Sequence, residues 1–378
     1  MKWESVEIGQ LGEVITGNTP PRKNPELYGN FIPFIKPTDM EIDRRYTTNP
    51  EECYSELGFE KYHKSLIPKG ATCVVTIGSI GKKMTQANTD CFINQAVNAI
   101  IPNKNYDQDF VFYLLRNNLD KVKGLDSGTS SGRENVSKSA FSSIQVKVVK
   151  HLPTQHKIAS ILSAYDNLIE NNLKRIKLLE EKANLRYKGI VRSEKMKEFT
   201  IEELANVVMG QSPTSDTYTV EKEDNLPFHQ GVTNFTHYFI ENKTYCKAPI
   251  KIAEVGDILF SVRAPVGRIN FTNEKICIGR GLCAFRSKKG FQNYFYHQLK
   301  EFFFREDVIG NGAIFNAVTK VELMNVRLRT PSEKAQREFE SEAEHIYNLI
   351  LNLSKQNTKL REARDILLPK LMNGQIEV

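Results

Sequence analysis

Cysteine and histidine are the side chains best suited to metal binding or nucleophilic chemistry, and their spacing in this chain favours neither. The six cysteines, at positions 53, 73, 91, 246, 277 and 283, include no C-x-x-C pair, and the seven histidines include no H-x-x-x-H pair. Structural zinc sites and redox motifs depend on such short spacings. We therefore expect buried free thiols rather than zinc ligands or disulfides.

Two short segments resemble functional motifs without completing them. Residues 78–83 read GSIGKK, which lacks the G-x-x-x-x-G-K spacing of a phosphate-binding loop. An adenine-methylation signature needs an aromatic residue after two prolines, and neither Asn49-Pro50-Glu51 nor Thr19-Pro20-Pro21 supplies it. No spacing indicates a nucleophile with its base. We expect neither nucleotide binding nor catalysis by this chain.

Two long amphipathic stretches organise the rest of the chain. From residue 152 to 196 apolar residues follow two interleaved seven-residue series, and a stretch beginning at Pro331 repeats the pattern. This period is typical of a helix whose apolar seam packs on a partner helix. Aligning Gln155 with Gln336 also aligns Ile158 with Phe339. Each stretch covers about 34 residues, or roughly 50 Å of helix. We predict that the two helices pair antiparallel within the chain.

Each apolar seam is interrupted by an asparagine near its midpoint. Full antiparallel overlap of the helices would place Asn172 opposite Asn357. A buried amide pair would set the register and orientation of the helices at some cost in stability. Alternatively, each side chain lies at the edge of the seam and is solvated. The pattern alone leaves both arrangements open.

The repeat extends into the segments that precede the helices. LGEVITGNTP at 11–20 recurs as LANVVMGQSP at 204–213, and later Gly70 matches Gly256 and Gly81 matches Gly267. Matches that keep their order indicate two homologous halves. Within each half, short β-branched and aromatic runs bounded by Gly, Pro or Asn predict strands, with one or two short helices between them. We predict an α+β class with two strand-rich domains, residues 1–150 and 198–330, separated by long antiparallel coiled-coil helices at 151–197 and 331–378.

Composition sets broad limits on the function. The chain has 378 residues, 40% of them hydrophobic, and a mean hydropathy of −0.42, which is typical of a globular protein of two or three domains. The N-terminal sequence has no signal-peptide pattern and no apolar run is long enough to span a bilayer, so we expect a cytoplasmic protein with no membrane partner. A net charge of +7 is compatible with a nucleic-acid partner but does not require one.

The order of these segments resembles the specificity subunits of type I restriction-modification systems. The resemblance covers essentially the whole chain. Its most specific parts are the helix openings, the TGNTPP and MGQSPTS segments, and the terminal LLPKLMNGQ. The helix openings are Pro153, Gln155 and Ile158, and then Pro331, Gln336 and Phe339.

The resemblance implies a division of labour. This chain would bind double-stranded DNA through two target recognition domains, each reading one half of a split site, and would carry no cofactor. Two methyltransferase subunits, which use S-adenosylmethionine, would dock on the helices, and two motor-nuclease subunits would join the full complex. Basic residues on the first helix, such as Lys174 and Arg175, form either a solvated face or part of the docking surface, and apolar residues near the helix ends, such as Leu367, Leu368 and Leu371, are candidates to complete it.

On this basis, DNA contacts are expected from loops that carry basic and amide side chains at strand ends, because such groups bind base edges and phosphates. In the first half the candidates are Lys36, Arg44, Arg45, Ser79, Lys82, Lys83, Gln86 and Arg133. In the second half they are His229, Gln230, Arg263, Arg268 and Asn311. Asn94, Gln95 and Arg280 lie at corresponding points after a strand, and either a structural or a DNA-binding role is open for them.

Two other classes of function remain open from the sequence. A standalone nuclease with duplicated domains would require clustered acidic metal ligands and would cut DNA by itself in the presence of magnesium. A spacer or interaction scaffold would bind DNA weakly or uniformly across sequences.

Overall fold

The computed structural model describes residues 2–125, 134–236, 238–303 and 317–378. The chain divides into two compact units. Unit 1 comprises Met1–Leu173 and Lys355–Val378, and unit 2 comprises Lys174–Ser354. Each unit therefore contains one strand-rich domain together with one half of each long helix.

Unit 1 is built on small sheets. Its strands are Trp3–Glu7 (β1), Gly12–Thr16 (β2), Tyr28–Gly29 (β3), Ile32–Ile35 (β4), Glu52–Tyr54 (β5), Thr72–Val75 (β6), Met84–Gln86 (β7), Phe92–Ile93 (β8), Val97–Pro102 (β9) and Gln145–Val149 (β10). One sheet has the order β2-β9-β6-β7, a second has the order β3-β5-β4-β8, and β1 pairs with β10. The β4–β8 pair is parallel. Exposed and buried residues alternate along β10 as expected for a half-buried strand, whereas the apolar run of β6 is buried throughout.

Unit 2 repeats this arrangement. Its strands are Lys197–Thr200 (β11), Ala205–Met209 (β12), Tyr218–Thr219 (β13), Leu226–His229 (β14), Tyr245–Cys246 (β15), Ile252–Ala253 (β16), Ile258–Ser261 (β17), Ile269–Phe271 (β18), Ile276–Ile278 (β19), Leu282–Ser287 (β20) and Arg327–Thr330 (β21). The sheet orders are β12-β20-β17-β18, β13-β15-β14-β19-β16, and β11 with β21. The β14–β19 pair is parallel and corresponds to β4–β8.

Helices cover one side of these sheets and connect the domains. They are Ile8–Leu11 (α1), Glu56–Tyr62 (α2), Gln108–Arg116 (α3), Leu119–Lys123 (α4), Lys138–Ser142 (α5), Leu152–Ser193 (α6), Ile201–Leu204 (α7), Gln292–Phe303 (α8), Lys320–Met324 (α9) and Glu333–Met372 (α10). The α+β class, the internal repeat and the two long helices predicted from the sequence are confirmed. Each unit has two sheets and one separate strand pair, β1–β10 or β11–β21, in the same chain order, and the second sheet of unit 2 has one additional strand, β16. This shared topology is stronger support for the repeat than the sparse sequence matches.

The main core of each unit lies between its antiparallel sheet, one short helix and the long helices. In unit 1, Val74 and Ile100 of the sheet meet Phe110 of α3 and Leu162 of α6. In unit 2, Ile258 and Phe285 of the sheet, Phe295 of α8, and Phe339 and Ile350 of α10 join one cluster. Each buried large apolar side chain contributes about 1.5–3 kcal/mol. The apolar seams predicted from the heptad pattern therefore serve the domain cores as well as the pairing of the helices.

The repeated glutamine near the start of each long helix ties the helix to the preceding strand. Gln155 is fully buried; its Oε1 accepts from the backbone N–H of Asp107 (2.8 Å) and its Nε2 donates to the carbonyl of Val149 (2.9 Å). Gln336 is also buried, and its Nε2 donates to the carbonyl of Pro331 (3.2 Å). The glutamine of each helix opening therefore satisfies backbone groups that would otherwise be buried without partners.

The long helices pair antiparallel in both units. In unit 1, Asp166 of α6 contacts Arg364 of α10, and Asn172, farther along α6, contacts Asn357, which comes earlier in α10. In unit 2, Arg186 of α6 contacts Glu342 of α10. The two asparagines are buried, and Asn172 Nδ2 donates to Asn357 Oδ1 at 3.0 Å. Of the two arrangements that the pattern left open, the structure therefore has the paired one.

Replacing Asn172 alone with leucine is expected to destabilise the chain by about 1–3 kcal/mol, because the amide of Asn357 would keep its burial and lose its partner. The double variant Asn172→Leu/Asn357→Leu should recover most of this loss, since both seam positions become apolar, while weakening the preference for one register. Denaturant unfolding of wild type, both single variants and the double variant gives the coupling free energy. If the loss in unfolding free energy of the double variant equals the sum of the losses in the two single variants, the pairing is contradicted.

Two kinds of feature are absent from the described residues: a helix that could cross a membrane and a cluster of metal ligands. No helix in this part of the chain combines the length and hydropathy required to cross a membrane. Nor does any group of three or more His, Cys, Asp or Glu side chains among these residues have the geometry of a metal site. The six cysteines are free thiols, and five of them are buried. Burial raises the pKa of Cys91 to about 12, which makes it a poor nucleophile.

Candidate nucleic-acid interface

Strand register brings the candidate loops of unit 2 to one edge of its sheets. His229 at the end of β14 pairs in parallel with Ile278 at the end of β19. In the other sheet, Ser261 at the end of β17 lies opposite Leu282 at the start of β20. A backbone bond from Gly281 N to the carbonyl of Gln230 (3.0 Å) joins the two sets of strand ends. We call this continuous surface the loop edge of unit 2.

Unit 1 has an equivalent loop edge. Ile35 at the end of β4 pairs in parallel with Ile93 at the end of β8, and Val75 at the end of β6 lies opposite Val97 at the start of β9. Asn94 N donates to the carbonyl of Ile35 at 3.2 Å, beside these strand ends. The topology therefore places the loops after β2, β4, β6 and β8 on the same side of unit 1.

The repeated TGNTP and MGQSP segments form part of this edge because their glycines allow two backbones to approach closely. A Cβ on Gly17 would overlap the carbonyl of Ile93, and one on Gly210 would overlap the carbonyl of Gly279. Any other residue would push the segment away from the strand ends. Four polar residues that directly follow these glycines therefore lie at the loop edges, and sequence reasoning did not select them: Asn18, Thr19, Gln211 and Ser212. The recurrence of the motif at the same place in both halves was the signal that could have identified them.

The loop edge of unit 2 is basic and accessible. Gln230 follows β14, Arg263 and Arg268 lie in the β17–β18 hairpin, and Arg280 lies in the turn between β19 and β20; all four are exposed. None of the three arginine side chains forms an ion pair or a hydrogen bond with any residue that the structure describes. Their guanidinium groups are therefore available for phosphates or guanine edges.

The loop edge of unit 1 is less available. Lys36 forms ion pairs with Glu51 (2.8 Å) and Glu52 (3.4 Å), and Lys83 Nζ donates to the carbonyl of Pro37 (2.8 Å). Ser79 and Lys82 are exposed in the β6–β7 hairpin. The repeated hairpin therefore carries accessible basic groups in both units, but acidic neighbours already bind part of the positive charge of unit 1.

Three of the predicted DNA contacts in unit 1 lie away from the loop edge or are already bound. Gln86 ends β7 at the opposite end of the sheet and accepts from Nε of buried Arg45 (2.7 Å). Arg45 also pairs with Asp109 (2.5 Å) and is only 2% exposed. Arg44 is bound by Glu170 of the long helix at 2.8 Å. These partners give the three side chains internal structural roles, so the DNA contacts proposed below omit them.

His229 of unit 2 also points into the protein. It is 2% exposed, and its Nε2 lies 2.7 Å from Asn242 Oδ1. Burial lowers the pKa of His229, so the imidazole is neutral at pH 7 and contributes no charge to the surface. The remaining candidates, Arg133 and Asn311, lie outside the described residues.

The geometry thus defines a class of protein: a duplicated nucleic-acid reader in which each copy presents arginine, lysine and amide groups at the ends of its strands. Comparison with known proteins agrees. The family model for the type I restriction modification DNA specificity domain matches residues 1–181 and again residues 193–360. The chain belongs to the family of type I restriction-modification DNA specificity proteins.

Individual relatives cover the chain from end to end. The provisionally named MjaX specificity subunit of a type I restriction enzyme from Methanocaldococcus jannaschii is 29% identical over 405 residues, covering 100% of this chain and 94% of the relative. The MjaIX specificity subunit of the same organism is 24% identical, with coverage of 100% and 94%. The crystal structure of a type I S subunit from M. genitalium has the same fold, with a TM-score of 0.61 at 17% identity over 98% of this chain and 96% of that one.

Proposed function

We propose that this chain reads a bipartite DNA target, with the loop edge of each unit contacting one half-site. The observation that carries the proposal is the duplication: one sheet topology, used twice, places a polar and basic surface at the same strand ends in both units. A duplicated reader recognises two separate short sequences, as dimeric DNA-binding proteins do with their half-sites. The proposed contacts are Ser79 and Lys82 in unit 1, and Gln230, Arg263, Arg268 and Arg280 in unit 2. Lys36 and Lys83 are left out because each already has a partner within unit 1.

We also propose that methylation and cleavage are performed by partner subunits. In this proposal, two methyltransferase subunits that use S-adenosylmethionine dock on the long helices, and two motor-nuclease subunits complete the assembly. The repeat supports two equivalent docking surfaces. Leu368 and Leu371 are buried in the core of unit 1, so the docking residues suggested from the sequence need correction. Leu178 and Leu185, which are 65% and 69% exposed on α6, are the better candidates.

The test is to express the chain with a methyltransferase subunit of its own system and to map methylated adenines in host DNA by single-molecule sequencing. We expect one motif made of two short sequences with a constant gap. A chain lacking the second reader, with residues 198–330 replaced by a copy of the first strand-rich domain, should methylate a motif with two copies of one half-site. A single continuous motif in the wild type would contradict the proposal, and uniform DNA binding without methylation would favour a scaffold.

A further inference from the structure

A cavity of about 470 Å³ opens beside the loop edge of unit 2. Thr236 lies on one wall, Arg268 of the β17–β18 hairpin on the second, and Tyr296 and Lys300 of α8 on the third. This volume lies in the range of small-ligand sites. Arg268 and Lys300 are its charged groups among the described residues, so nothing in this part of the chain neutralises its positive charge.

The walls of the cavity are held in place by contacts around these two cations. Asn270 is 2% exposed, and its Nδ2 donates to the carbonyls of Thr236 (3.0 Å) and Ile269 (3.1 Å), which ties two walls together. The Lys300 ammonium lies 5.7 Å from the centroid of the Tyr296 ring. Arg268 and Lys300 remain exposed, and neither forms an ion pair with the described residues.

Unit 1 has a cavity of about 650 Å³ beside its own copy of the hairpin, lined by the loop at residues 41–44, the β6–β7 hairpin and the end of α3, and in addition by residues of α4 and α10. Its cationic groups have acidic neighbours, since four carboxylates and three cationic groups line it. Arg116 lies 3.2 Å from Asp43 and 3.8 Å from Asp365. If Tyr113 is aligned with Tyr296, as the repeat requires, the neutral Asn117 occupies the place of Lys300. The repeat has therefore kept the cavity in both units and changed its charge.

We propose that the cavity of unit 2 binds a phosphate group of the DNA backbone through Arg268 and Lys300, and that the cavity of unit 1 does not. This inference rests on the proposed function, which it deepens by assigning the two units unequal parts in affinity. Cations without acidic partners attract phosphates and release counterions on binding, whereas cations already paired gain little. Unit 2 would then supply more of the salt-dependent, sequence-independent affinity than unit 1.

The experiment measures the dissociation constant of the chain, in complex with its methyltransferase subunits, for a duplex carrying the mapped motif at several salt concentrations. For Arg268→Gln/Lys300→Gln, we expect the slope of log K against log salt to become shallower by about 1–2, because one or two phosphate contacts are lost. The methylated motif should stay the same, because a phosphate contact positions DNA without reading bases.

The matched control is Lys222→Gln/Lys247→Gln, which removes the same charge at the opposite ends of the strands in unit 2 and should leave the slope within about 0.5 of wild type. Inorganic phosphate added at constant ionic strength, as a competitor of the duplex, distinguishes a free-phosphate site from a site for the DNA backbone. If phosphate strongly displaces the duplex from the wild type and the Arg268/Lys300 substitutions abolish this effect, the cavity is a free-phosphate site and the DNA assignment is overturned. An unchanged slope in the Arg268/Lys300 variant would overturn the proposal, as would a motif relaxed at one base. Failure of the wild-type complex to bind the duplex would instead refute the proposed function.

Discussion

Replacing Arg263 and Arg280 together with alanine is expected to weaken binding to the target duplex by about 2–6 kcal/mol, or roughly 30-fold or more, if each arginine makes one bidentate base contact. Both side chains are exposed at the loop edge of unit 2, and neither is bound by an acidic group in the described part of the chain. Their loss should also relax or abolish recognition of one half-site while the other half is still read. Fluorescence anisotropy with the purified methyltransferase complex measures the affinity, and methylation mapping reads the motif.

The control for this prediction removes two positive charges from the strand ends that lie opposite the loop edge. Leu226 at the start of β14 lies opposite Cys246, so Lys222 and Lys247 near these residues are at the opposite side of the sheet from the loop edge. Lys222→Ala/Lys247→Ala should change affinity far less than the arginine pair does. Equal losses in the two variants would indicate a general effect of net charge, and wild-type affinity in the arginine variant would remove this edge from the interface.

Replacing Arg364 with methionine is expected to destabilise unit 1 by about 3–5 kcal/mol, because it leaves the carboxylate of Asp166 buried without a compensating charge. Arg364 is fully buried, Asp166 is 2% exposed, and the two groups meet at 2.5 Å between α10 and α6. Tyr113 of the recognition domain also donates to Asp166 (2.6 Å), so the ion pair connects the domain to both long helices. Denaturant unfolding followed by circular dichroism measures the loss.

The control for this second prediction is the double variant Asp166→Asn/Arg364→Met. Asparagine keeps an acceptor for Tyr113 while removing the charge, so the double variant should recover most of the stability lost by Arg364→Met. Unit 2 indicates that the site tolerates neutral side chains, since the alignment of Gln155 with Gln336 places Tyr347 and Ala183 at these two positions. A loss below about 1 kcal/mol in the single variant would mean that other groups, such as Arg116, already neutralise Asp166.

The architecture could be predicted from patterns in the sequence. A seven-residue apolar period can be buried along one side of a helix only by a partner, so two such stretches in one chain predicted the long helix pair. Repeated glycines and prolines in constant order predicted two homologous domains. The midpoints of the seams placed Asn172 opposite Asn357 but left a buried pair and two solvated side chains as alternatives, and the fold decided between them. These properties depend on local spacing, which the sequence displays directly.

Tertiary structure alone decided which basic side chains face outward. Arg45 is neutralised by Asp109 and Arg44 by Glu170, and both acids are far away in sequence on elements that meet only in the folded unit. Gln86 lies at the other end of its strand from the loop edge, and His229 lies at the edge but points inward. Burial and ion pairing are long-range properties, so residue type and spacing could not separate these side chains from Arg263 and Arg268. The same reason explains why two halves that match in sequence pattern contain one cavity whose charged groups, among the described residues, are all cationic and one in which cations and carboxylates lie together.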